Sequence, residues 1–161
     1  MFFPILVCVA VSLIVVAWAF NTSSPGLRDA SLQVNLTLPS GTSAVTSTGI
    51  DTGLRGPNDF FPEGFEFLIE APSLNTSQLP DGKTMSYSIA HSPNADMSGA
   101  TVQYTNVLVQ TGAGGIGAVA AQARAKLPHG PIGQYVGLIA TPSASGAGDA
   151  SAAKATLSAV F

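Results

Sequence analysis

Apolar residues recur at every second position in a series of short runs, and this period of two most limits what the chain can fold into. In Ser31–Leu38, Leu32, Val34, Leu36 and Leu38 share one face, while Gln33, Asn35 and Thr37 share the other. Gly64–Pro72 sets Phe65, Phe67 and Ile69 against Glu66 and Glu70. Lys83–His91 sets Met85, Tyr87 and Ile89 against Thr84, Ser86 and Ser88. Ala100–Thr111 is a longer β run, and Gln134–Pro142 and Ala153–Phe161 close the chain. In the last of these, Ala155, Leu157, Ala159 and Phe161 face one way. A strand places successive side chains on opposite faces, so alternation gives each run one buried and one solvated side. Clusters of Gly, Pro, Asn, Asp and Ser separate the runs. With Ser43–Asp51 and Ala118–Leu127 added, about eight strands follow at short spacing. The pattern predicts an all-β fold, an antiparallel β-sandwich of jelly-roll-like arrangement.

The chain of 161 residues carries 6 Lys and Arg against 9 Asp and Glu. Its net charge of −3 and its scattered cations argue against nucleic acid as a partner, because phosphate binding needs clustered positive charge. Ser, Thr, Gly, Ala and Pro dominate after residue 21. Such a polar, weakly charged surface suits an extracellular or virion β protein. The single cysteine, Cys8, lies in the apolar leader. The rest of the chain therefore has no disulfide framework and no thiolate zinc site.

Residues 1–20 are almost wholly apolar, with Phe3, Leu6, Leu13 and Trp18 along the run. Two readings fit. As a secretion signal, the leader has an apolar core and an A-x-A site at Ala17-Trp18-Ala19 that would release a chain starting at Phe20. As a retained helix, it is long enough to cross a bilayer, with Trp18 and Phe20 at the interface. No Lys or Arg precedes the apolar run, so the basic start of a signal is missing and the anchor is favoured. A linker over 21–30 then leads to a domain over 31–161.

Gly112, Gly114 and Gly117 have the G-x-G-x-x-G spacing of a dinucleotide-binding turn. That reading needs a helix next, and an acid about 20 residues on to hold a ribose. Instead Val119, Ala121, Ala123, Ala125 and Leu127 alternate with Gln122, Arg124 and Lys126, as in a strand. Ile132–Ala140 holds no acid. The glycines read as a hairpin loop that needs positive φ, and no cofactor is expected.

Enzyme chemistry is thin. His91 and His129 each flank a Pro/Gly turn and nominate no third metal ligand. Asp51, Asp59, Asp81, Asp96 and Asp149 lie in turns, where aspartate bonds its own backbone. The segment Asp51–Asp59 lacks the acidic spacing of a calcium loop. Glu66 and Glu70 share a strand face about 13 Å apart, too far for a coupled acid–base pair. No G-x-S-x-G occurs and no catalytic triad is evident. Neither a catalytic nor a metal site is predicted. Three N-x-S/T triplets, at Asn21, Asn35 and Asn75, are available for glycans in a eukaryotic secretory setting.

The pieces LPDGKTMSYSIAHSPNADMSGA and ARAKLPHGPIGQYVGLIATPSASGAGDASAAKATLSAVF carry a resemblance. The run contains a Leu-Pro-x-Gly turn at Leu127–Gly130, an aromatic strand at Gln134–Leu138 and a short last strand at Ser158-Ala159. Ser47–Gly53 adds an early "IDxG" segment. Over Leu32–Phe161 this order resembles the small capsid cement, or decoration, proteins of tailed phages. The resemblance implies a non-enzymatic virion role, in which a jelly-roll-like domain sits over contacts between major capsid subunits and strengthens the shell. Its partners would be the major capsid protein and further copies of itself, with a membrane engaged through residues 1–20. The other class that fits is a secreted or membrane-anchored β-sandwich adhesion or pilus-type module in the cell envelope.

Candidate interface residues are Phe60, Phe61 and Tyr135. Phe60 and Phe61 stand between Asp59 and Pro62, where aromatics serve either as a lid on the core or as anchors for a neighbouring subunit. If they are anchors, changing both to Ala weakens assembly and leaves the monomer's melting temperature nearly unmoved. A large loss of monomer stability in the same melt assigns them to the lid.

Overall fold

The computed structural model describes residues 28–54, 66–127 and 132–161. The expected N-terminal helix, with Phe3, Leu6, Leu13 and Trp18, lies outside the described residues, as do Phe60, Phe61 and His129. Among the described residues no helix is long and apolar enough to cross a membrane.

Every named element is a strand: β1 (Arg28–Thr37), β2 (Val45–Thr46), β3 (Ile50–Asp51), β4 (Glu66–Ala71), β5 (Thr84–Ser92), β6 (Thr101–Thr111), β7 (Ala121–Ala125), β8 (Tyr135–Pro142) and β9 (Lys154–Val160). They form two antiparallel sheets. One has the order β1-β9-β4-β7; the other has β2-β8-β5-β6, with β3 also on β8. The fold is all-β, as the alternation predicts. β2 and β3 are two halves of one expected strand, Ser43–Asp51, and the break between them has a local cause. The Ser47 hydroxyl accepts the Leu138 N–H at 3.0 Å, so a side chain takes over a ladder position. The Gly49 N–H meanwhile turns away to Ala95 O.

With β2 and β3 counted as one, the pairing is first with last, second with second-last, and so inward to β5 with β6. Chain neighbours therefore fall in opposite sheets at most connections, and both sheets turn one face onto a shared core. Leu36, Phe67, Ile69 and Leu157 of the first sheet meet Met85, Tyr87, Ile89 and Leu138 of the second there. Each large side chain so buried contributes about 1.5–3 kcal/mol.

Leu68, Phe161 and Val119 are among the positions that depart from simple alternation. Leu68 lies on the face of β4 opposite the core residues Phe67 and Ile69, beside Ser158, yet is only 2 % exposed. Phe161, expected inward with Leu157 and Ala159, comes after the end of β9 and is 54 % exposed. Val119, expected on the inner side of β7, is 72 % exposed. Here the paired strand starts only at Ala121, and an isolated bridge between Leu74 and Ala118 turns Ala118 inward instead.

One polar side chain ties the sheets together at one end. The Gln110 amide on β6 donates to Pro72 O and Val119 O, each at 2.8 Å, while its Oε1 accepts the Tyr87 hydroxyl at 2.8 Å. Gln110 is buried and fully engaged, and burial pushes the Tyr87 hydroxyl's pKa up, so it stays a donor. Leucine at position 110 keeps the bulk but strands the Tyr87 hydroxyl and two carbonyls. Gln110→Leu is expected to lose about 2 kcal/mol in urea unfolding, and Tyr87→Phe about 1 kcal/mol.

Candidate functional site

The glycine-rich arch between β6 and β7 is the first place to look for chemistry. Its glycines serve packing. A Cβ at Gly112 would enter the carbonyls of Leu79 and Pro80, and one at Gly117 would enter those of Leu74 and Asn75. The arch thus lies backbone to backbone on the β4–β5 connection. Gly82 N–H bonds Gly112 O at 2.9 Å, and Gly112 N–H bonds Lys83 O at 2.9 Å. At the tip, the Gly115 N–H points at both Asp81 carboxylate oxygens, at 3.1 and 3.0 Å. A donor that could hold a phosphate in a dinucleotide fold holds the protein's own aspartate here, and a strand follows the arch rather than a helix.

The other loops at this end are tied in similarly. Lys83 Nζ reaches Ser145 Oγ at 2.6 Å, and Gly148 N–H bonds Gln78 O at 3.1 Å. The Asn75 Oδ1 accepts N–H groups from Ser77 and Gln78, both at 3.0 Å. The result is a braced platform from which Ile116 protrudes, 72 % exposed.

At the opposite end, the β5–β6 loop folds back over the second sheet. Its hinge is Ser92, whose hydroxyl donates to Ser98 O at 2.7 Å. Met97, at φ 60, is buried there against Gly49 and Gly137, where a Cβ on either glycine would strike its thioether chain. Tyr135 packs over the same spot, its Cβ against Gly49, and is only partly exposed. The candidate interface residue Tyr135 is thereby half committed to a local plug.

The titratable candidates are mostly structural. His91 Nδ1 accepts the Gly133 N–H at 2.9 Å and so caps the approach to β8. Burial lowers its pKa, opposed by a hydrogen bond with Gln103. Asp96 and Asp149 each accept the hydroxyl and N–H of the serine two residues on, which holds their pKa values below the usual carboxylate range. Glu66 lies 3.6 Å from both Arg124 and Lys126. Among the described residues, no three His, Cys, Asp or Glu side chains gather as metal ligands.

One concavity stands out, on the face of the first sheet that points away from the core. It is an open depression of about 570 Å³, and among the described residues Glu70, Gln122, Lys154 and Thr156 supply its polar lining. Strand order assembles it: Glu70 on β4 is in register with Thr156 on β9 and with Gln122 on β7. The Gln122 amide donates to Glu70 Oε1 at 2.8 Å. Alternation places these residues outward, but the sequence did not nominate them together, because nothing in it states that β9, β4 and β7 are neighbours.

No protein-family model matches the chain, and no curated protein matches it in sequence. The glycine arch can be tested directly. Gly117→Ala forces a Cβ into backbone at φ 84 and should cost at least ~2 kcal/mol, whereas Gly114→Ala faces open space at φ 65 and should cost about 1 kcal/mol. Thermal melts of the two variants give the comparison.

Proposed function

We propose that the chain is a non-enzymatic virion structural protein of the cement or decoration kind, which binds and stabilises a lattice of major capsid protein. In this reading the two sheets are a β-sandwich of jelly-roll type, with the inward pairing of strands that a rolled hairpin gives. The observation that carries it is the use of the polar groups. Asp81, Asp96, Asp149, His91 and Gln110 are spent on bracing turns and loops. At the arch end this rigid frame holds apolar side chains outward: Ile116 on the arch tip, with Val109 and Val119 beside the arch. A braced scaffold with apolar residues held outward suits lasting protein contact better than turnover. Residues 1–20 would tether the domain to a membrane within or beneath the shell.

A second reading is a secreted or membrane-anchored adhesion module. It draws on β1, a ten-residue strand that among the described residues stands at the end of the first sheet's order beside β9, the place in a sheet where strand addition acts.

Quantitative peptide mass spectrometry on particles from the native source separates the two. The virion reading expects the protein at a fixed ratio to the major shell protein, with Met1 still present if the leader is an anchor. Recovery only from envelope or medium, with the chain starting at Phe20, overturns it and favours the adhesion module.

A further inference from the structure

The strand order of the first sheet places four polar residues in one row on its outer face: Asn35 on β1, Thr156 on β9, Glu70 on β4 and Gln122 on β7. Adjacent members sit one strand spacing apart, so the row runs about 14 Å across the sheet. The side chains hold one another in place. The Thr156 hydroxyl donates to Asn35 Oδ1 at 3.0 Å, and the Gln122 amide donates to Glu70 Oε1 at 2.8 Å. Lys154, two residues before Thr156 on the same face of β9, adds an ammonium group at the rim. The wall is small and apolar, formed by Ala71, Pro72, Ala120 and Ala121.

We propose that this groove binds a neutral oligosaccharide. The composition argues for that class. Among the described residues one carboxylate and one ammonium face the groove, so neither a cation nor an anion gains from their net charge. Carboxylate, amide, hydroxyl and ammonium together offer donors and acceptors in alternation. A sugar hydroxyl is both at once and can satisfy either. The alanine and proline wall gives the C–H faces of a pyranose an apolar surface. The groove's 570 Å³ lies within the range of small-ligand sites, and its lining spans β9, β4 and β7, about 10 Å across, enough for more than one ring. The bonds that pre-orient Gln122 and Thr156 also lower the entropy lost when a ligand is held.

The proposal is independent of the virion reading. A chain absent from particles that binds glycan defeats the first and keeps this one; a chain in particles that ignores glycan does the reverse.

The test uses the full chain in mild detergent on an array of neutral and acidic glycans. Saturation-transfer NMR and calorimetry follow, with mannotriose, cellotriose and the strongest neutral array ligand as probes. The expected result is binding of at least one neutral oligosaccharide, weakened at least tenfold by Gln122→Ala and by Thr156→Ala. Lys83→Ala at the braced loop end should leave it unchanged. All three substitutions are at surface positions, and melting curves matching that of the unaltered protein establish that each variant is folded. Glu70→Gln, which keeps the shape, provides a second probe of the same groove and should weaken binding in the same way. Binding of no neutral glycan overturns the proposal. So does binding of acidic glycans alone, which would assign the site to Lys154 as an anion contact. Neutral binding that the groove variants leave intact overturns it as well.

Discussion

The Gln110 amide is the constraint on which the rest of the architecture hangs. A two-sheet protein with a core of Leu, Ile, Phe, Met and Ala is held face to face by non-directional burial, which tolerates sliding. Gln110 removes that freedom. Its three bonds fix β6 to β5 within one sheet, and to the end of β4 and the approach to β7 in the other. Buried polar contacts are costly when incomplete and selective when complete, so a single fully satisfied amide specifies one relative placement of the sheets. The close approach of the glycine arch to the β4–β5 connection depends on the same placement, as does the Asp81 contact at its tip.

From this placement the two ends acquire different characters. At the arch end, loops are braced by backbone contacts that only glycine allows, and the braces carry exposed apolar side chains. At the other end, Met97 plugs a hole left by two glycines, and Tyr135 closes over it. Both ends spend small residues to let larger parts meet. Several of the chain's 17 glycines are placed where such close approaches require them.

Much of the fold was legible because period two is a direct imprint of a pleated, half-buried strand. Leu36 and Leu38, Met85, Tyr87 and Ile89, and Ala155 and Leu157 are buried where alternation puts them. Alternation fails where the cause is not in the strand itself. Ser88, Ala90 and Ser92 are buried on the outer side of β5, and at Ala90 and Ser92 a loop folds back nearby. Val119 faces solvent because pairing starts two residues later. The glycine spacing misleads for a similar reason. It records close backbone approach, and only the structure reveals that the neighbour is Leu74 and Asn75 rather than a ligand. The outer groove was hidden in another way. Each of its residues is unremarkable in its own strand, and the site exists only through the order β1-β9-β4-β7. Pairing between strands distant in sequence leaves no local signature.

The pairing of the first strand with the last gives the molecule a direction. Arg28 stands opposite Val160, whereas Thr37 stands opposite Lys154 at the far end of the same ladder, about 20 Å away at strand rise. The arch enters β7 at Ala121, beside Ala71, which is that same far end. Arg28 and the arch therefore lie at opposite ends of the first sheet, with Ile116 and the outer groove toward the end far from Arg28. The register of one strand pair thus sets the start of β1 and the glycine arch a full strand length apart.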